Sequence, residues 1–315
     1  MDRPNRPSAL SPSTLGPQPS VHAEQGRVIA SLPTGDSVEI LLYGATVTSW
    51  KSNGRQNLWL SSAAKLDGSK AVRGGIPVVF PVFGPPPKGH ATSALPQHGF
   101  ARTSHWEYLG SSSSESGALA KGGDDSIKLD FGLSAAQISD EARKAWGYDF
   151  ALVYTVTLGK DRLQTMLNVQ NKGDKTFDFQ MLLHTYFQVK DISKTTVNGL
   201  GSQPYVDKVL NATTHTQTTP SLSITGEVDR VYAQIRQDTT SIVEDGKPSI
   251  DVVRDNLDDT VVWNPWIEKA NGLGDFEPKD GYKNMICIEV GAVDGWQKLE
   301  PGETFEGGQI VKSNL

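Results

Sequence analysis

The chain has a single cysteine, Cys287. An intrachain disulfide and a zinc cage built from cysteines are therefore both excluded. No apolar run approaches the roughly 20 residues that a membrane helix needs. The opening segment, MDRPNRPSALSPSTLGPQPS, lacks the apolar core of a signal peptide. Basic runs are missing too: 30 Lys and Arg stand against 36 Asp and Glu, a net charge of −6. That balance argues against nucleic-acid binding, which needs Lys and Arg clustered on phosphates. The phosphate-cradling Gly-rich loop, the dinucleotide fingerprint, paired metal-binding histidines on a helix and the Gly-X-Ser-X-Gly elbow are all absent. A tight nucleophilic triad has no support. The expectation is a soluble, cytoplasmic, monomeric chain of 315 residues, with no membrane, nucleic-acid or metal partner.

Hydrophobic residues make up 37% of the chain, enough for a large core. Residues 1–22 hold five prolines and few large apolar side chains, so they are expected to be a disordered tail. Beyond them come short runs rich in Val, Ile, Thr and aromatics that alternate with a period near two, such as Phe150-Ala151-Leu152-Val153-Tyr154-Thr155-Val156. Asn53-Gly54, Asn171-Lys172-Gly173-Asp174 and Asp245-Gly246 read as turns between them. Residues 111–116 and 121–125 read as a surface loop. Helical spacing is confined to residues 134–145 and 265–270, Pro265 suiting a first turn. The pattern predicts an all-β protein: a large antiparallel β-sandwich or barrel with few short helices, one domain over residues 23–315.

Four clusters put polar groups in apolar, strand-like surroundings. In Val72-Arg73-Gly74-Gly75-Ile76-Pro77 the glycines are expected to let backbone approach a ligand closely. In Pro96-Gln97-His98-Gly99-Phe100-Ala101-Arg102 a bend at Gly99 would let Gln97, His98 and Arg102 converge. Arg73 and Arg102 together offer two guanidinium forks suited to a phosphate dianion. His184 stands alone in Leu182-Leu183-His184-Thr185-Tyr186-Phe187, a setting as suited to a hydrogen-bonded core histidine as to a catalyst. Glu289 in Met285-Ile286-Cys287-Ile288-Glu289-Val290-Gly291 is the least expected residue of the chain, because burying a carboxylate is costly. Burial would raise its pKa toward the range of a general base.

Taken in order, these motifs resemble the aldose 1-epimerase superfamily, most closely its hexose-6-phosphate mutarotase branch. The resemblance also draws on Lys65-Leu66-Asp67-Gly68-Ser69-Lys70-Ala71 and Tyr43-Gly44-Ala45-Thr46-Val47, and runs from about Val28 to Ile310. It implies a galactose-mutarotase-like sandwich with the sugar on one concave face. It further implies His184 and Glu289 as the catalytic pair, and Arg73, Gln97, His98, Arg102 and an aspartate, best matched by Asp229, as contacts to a phosphosugar. Anomer interconversion needs one base at the C1 hydroxyl and one acid at the ring oxygen, with neither cofactor nor metal. Three other readings stay open, the first a generic aldose mutarotase acting on unphosphorylated sugar. A non-catalytic sugar binder could use Trp263-Asn264-Pro265-Trp266 for stacking. A glycoside hydrolase could use Glu289 and Asp229 as its carboxylate pair.

Overall fold

The computed structural model describes residues 18–114 and 125–314. Three antiparallel sheets form the body. A five-stranded meander runs in chain order from Ser20–Glu24 to Arg55–Gln56. A nine-stranded sheet contains the successive strands Glu107–Ser114, Ser126–Ser134, Phe150–Gly159 and Arg162–Asn171, then Thr304–Ser313 and Lys247–Asp255. The third sheet is eight-stranded, and its centre is the long strand Met285–Leu299, flanked by Asp259–Asn264 and Phe177–Leu183. Short α-helices cover Asp140–Ala145 and Trp266–Gly272. The all-β sandwich with few short helices is thus observed.

Local chemistry explains the strands. Along Phe150–Gly159 and Arg162–Asn171 buried and half-buried residues alternate, the signature of a sheet with one face on a core. Gln25-Gly26, Asn53-Gly54 and Asp245-Gly246 all have positive φ at both positions, as tight two-residue hairpins demand, and each joins a directly paired strand end. Asn171 links two sheets: its Nδ2 donates to the carbonyls of Lys175 and Leu299, and its Oδ1 accepts from the Gly173 amide.

Two sequence expectations are corrected here. Strand Ser20–Glu24 claims the last three residues of the segment assigned to the tail, pairing them with Arg27–Ser31; residues 1–17 lie outside the described residues. Residues 111–114 belong to an edge strand paired with 126–129 rather than to a loop, while 115–124 lie outside the described residues.

Strand Met285–Leu299 is buried on both faces through Val293. Ile286, Ile288, Val290 and Ala292 face the main core shared with the nine-stranded sheet. Met285, Cys287 and Val293 join smaller apolar clusters on the opposite side, and period two puts Glu289 there as well. Parity repeats in the neighbours: Val262 faces the core while Val261 and Trp263 do not, and Leu183 faces the core while Leu182 does not. One concave face therefore collects residues from every strand of this sheet's centre.

Candidate active site

His184 and Glu289 meet on that face by strand register. Leu183 pairs with Val290, and Tyr186 pairs with Cys287. The two positions between must then oppose each other, His184 to Glu289. The regular ladder breaks there: the His184 amide donates to the Pro77 carbonyl, and the Ile288 amide to the Thr185 carbonyl. His184 Nε2 lies 3.4 Å from Glu289 Oε1. The carboxylate is 2% exposed and its Oε2 has no hydrogen-bond partner, nor does His184 Nδ1. Such orphaned buried polar atoms call for an explanation. A substrate hydroxyl entering the cleft would supply one.

Burial dominates the electrostatics. It pushes the Glu289 carboxyl well above its ordinary value, with the nearby Asp229 charge adding to the effect and Lys208 and Arg102 opposing it. It pushes His184 well below the ordinary imidazole value, reinforced by His98, Arg102 and Arg73. Both groups are driven toward their neutral forms. The charged arrangement, Glu289 ionised and His184 protonated, contains the same number of protons and is reached by proton transfer alone.

Around this pair lies a cleft of about 510 Å³. All seven residues singled out in the sequence line it: Arg73, Gln97, His98, Arg102, His184, Asp229 and Glu289. Arg73 donates from Nε and Nη2 to both oxygens of Asp275, at 3.2 and 3.3 Å, and from Nη1 to the Tyr186 hydroxyl at 3.2 Å. Tyr186 stacks on His184, with ring centroids 4.7 Å apart and planes within 8°. Arg102 Nη2 donates to the Gln97 carbonyl at 2.9 Å, closing the loop on itself. His98 sits beside it in the left-handed region, followed by Gly99 in the same region. The Gly84 amide donates to His98 Nδ1 at 3.3 Å, leaving the ring proton on Nε2. Burial and the charges of Arg102, Lys208 and Arg73 push the His98 pKa down to about 3, so this histidine is a neutral donor rather than an acid. Asp229, opposite Trp263 in the ladder, is raised above its ordinary value by burial, while Lys208 and Lys269 pull it back.

The double glycine does something other than expected. A Cβ on Gly75 would lie 2.1 Å from the Val47 carbonyl oxygen, and one on Gly74 would lie 2.6 Å from Leu60 Cα and the Trp59 oxygen. These glycines let neighbouring backbone segments, not a ligand, come close, and so anchor Arg73.

Residues 30–312 match the aldose 1-epimerase family. The chain belongs to it. A protein of Cenchrus ciliaris provisionally assigned as a glucose-6-phosphate 1-epimerase is 36% identical over 85% of this chain and 79% of its own. An Escherichia coli protein with the same assignment is 35% identical over 82% and 80%. The crystal structure of a Salmonella typhimurium protein provisionally described as a mutarotase superposes with a TM-score of 0.78 at 28% identity, covering 96% of both chains. The chain is accordingly an epimerase, an isomerase by class.

Some residues in the enzyme's cleft, and others that touch its lining, were not assigned a catalytic or phosphate role from the sequence. Tyr186 sits in an apolar run where aromatics read as core, yet it borders His184 at 4.7 Å; Trp263, read from the sequence only as a stacking group for a sugar binder, borders it at 6.1 Å. Asp275 and Lys208 occur in stretches without periodicity, and Lys269 in the helical segment Trp266–Gly272 carries no signal beyond its charge. Among the described residues, one cluster has metal-ligand spacing: donor atoms of His184, Cys287 and Glu289 all lie within 4.8 Å of one another. Burial disfavours the thiolate of Cys287 and the carboxylate of Glu289 that a metal would need, and nearby guanidinium groups oppose a dication.

Proposed function

We propose that the protein interconverts the α and β anomers of a hexose 6-phosphate, glucose 6-phosphate in the first instance. The observation that carries this reading is the His184–Glu289 contact of 3.4 Å at the floor of a cleft lined by cations. Ring opening removes the proton of the C1 hydroxyl and delivers one to the ring oxygen; closure after rotation about C1–C2 reverses both transfers. Glu289 serves as the base and His184 as the acid. The sugar's approach tips their shared proton from Glu289 to His184, which has the same total charge. No covalent adduct arises, so no activated nucleophile is needed. Neutral His98, Gln97 and Asp229 supply donors and an acceptor for sugar hydroxyls, and the arginines face the phosphate. The names of the relatives support the phosphosugar.

A glycoside hydrolase would set its carboxylate pair against a glycosidic bond. Here the groups in contact are a carboxylate and an imidazole, while Asp229 is loosely paired with Lys208 at 3.9 Å. Mutarotation measured on glucose 6-phosphate and on glucose, beside hydrolysis of a chromogenic glycoside, tests the proposal. Fast mutarotation of the phosphosugar is expected. No acceleration of either sugar would leave only a binding role.

A further inference from the structure

Behind His184, on the side of its strand turned away from the cleft, two polar residues meet inside an apolar layer. Along Phe177–Leu183 and its continuation Tyr186–Gln188, the residues Met181, Leu183 and Phe187 face the main core. Period two puts Thr185 on that face as well, and it is fully buried. On strand Thr304–Ser313 of the opposite sheet, Phe305 and Val311 pack on the same core, and Gln309, also fully buried, stands in their row. Gln309 Nε2 donates to Thr185 Oγ1 at 2.8 Å across the space between the sheets. A neutral pair of this kind adds little to stability, because apolar residues of the same shape at both places would be nearly equivalent. Stability alone therefore does not account for it.

Thr185 occupies the place where the strand is broken. Its amide donates back to the Leu183 carbonyl at 3.0 Å, a bond that closes a three-residue turn with His184 at the apex. Its carbonyl accepts from the amide of Ile288, the residue before Glu289, at 3.2 Å. Thr185 thus joins the two halves of the His184–Glu289 contact through its backbone. Within its own sheet the Thr185 hydroxyl reaches only the Leu183 carbonyl, at a long 3.4 Å. The short contact comes from Gln309, on a strand held on both sides by Arg162–Asn171 and Lys247–Asp255. Successive residues project to opposite faces, so the depth at which Thr185 is drawn into the core sets the direction in which His184 leaves the turn.

We propose that Gln309, acting through Thr185, is a positioning residue for His184, holding the imidazole at its distance from Glu289 without touching the substrate. The inference rests on His184 being the acid of the proposed reaction. A misplacement of about 1 Å at a reacting group costs on the order of a hundredfold in rate, so a contact that matters little to stability still matters to turnover.

The test compares replacements at both positions, with kcat on glucose 6-phosphate referred to the folded fraction read by circular dichroism. Thr185→Val and Gln309→Met each take away one partner, and each should lose stability and rate together. In the double variant neither partner is left behind, so the urea midpoint should return close to that of the wild type. Its kcat should nevertheless stay roughly tenfold or more below wild type, with KM within about twofold. Thr185→Ser, which keeps the hydroxyl, should hold most of the rate. A double variant with full kcat, whatever its stability, would overturn the proposal. So would a Thr185→Ser as slow as Thr185→Val, since the methyl group and not the hydrogen bond would then matter. His184→Asn separates the two claims: full activity there sinks the acid reading itself, whereas an impaired His184→Asn beside unimpaired Gln309→Met and Thr185→Val sinks only the positioning role.

Discussion

Glu289 is a carboxyl at 2% exposure beside an imidazole, and its burial has two measurable consequences. Glu289→Gln retains the shape but cannot accept a proton, so kcat should drop by roughly two to four decades, the usual share of general acid–base catalysis. The same change should stabilise the fold at neutral pH. Burial holds the carboxyl's folded pKa well above the ordinary glutamate value of 4.5. Below that value both folded and unfolded chains are protonated and no difference arises. As pH rises past it, the unfolded chain ionises first, and the native state loses stability until its own pKa is passed. The variant's melting temperature should therefore gain on the wild type between pH 4 and pH 7.5. An equal difference at both pH values would contradict this. His184, lowered in the fold, works in the opposite sense and costs stability as pH falls below 6.5. Turnover requires one proton on the pair, so kcat/KM should be bell-shaped in pH. A flat profile between pH 6 and 8 would count against the pair, as would full activity of His184→Asn.

At the scale of elements, the loop carrying Gln97, His98 and Arg102 depends on one glycine. Gly99 has a φ of +68°, and a Cβ there would lie 2.1 Å from the Phe80 carbonyl oxygen. Gly99→Ala should cost about 1–3 kcal/mol through backbone strain and displacement. It should also lower kcat/KM for phosphorylated and free sugar alike, because all three side chains move. Urea midpoints and both assays check this together. The bend at Gly99 was legible in the sequence, since glycine punctuates an otherwise apolar run. Which backbone it would meet was not, and for Gly74 and Gly75 that same ignorance led to the wrong neighbour.

For the whole molecule, a net charge of −6 surrounds a cleft lined by four cations. Far-field repulsion and local attraction of a dianion thus oppose each other. Salt screens the former at distances beyond about 8–10 Å, while contacts inside the cleft are weakened by competition with added anions. The KM for glucose 6-phosphate should rise with sodium sulfate far more than with sodium chloride at equal ionic strength, and the KM for glucose should respond to neither. Identical responses to the two salts would mean that no anion subsite is present.

The sequence by itself determined an antiparallel all-β sandwich or barrel, because period-two alternation and Asn-Gly and Asp-Gly turns admit few other solutions. The sandwich was what the resemblance implied, and the stacked sheets decided it. The sequence also exposed the odd polar residues, since a histidine or glutamate in an apolar strand violates the alternation it sits in. Tertiary structure alone decided that His184 faces Glu289. That pairing rests on a register set by Leu183 with Val290 and Tyr186 with Cys287, between segments roughly a hundred residues apart. It likewise decided which arginine carries a carboxylate partner. Asp275 lies far from Arg73 in the chain and reaches it only when the loops fold over the sheet. Charge in a sequence is a sum, but availability for a ligand depends on which partners arrive first, and that is geometry.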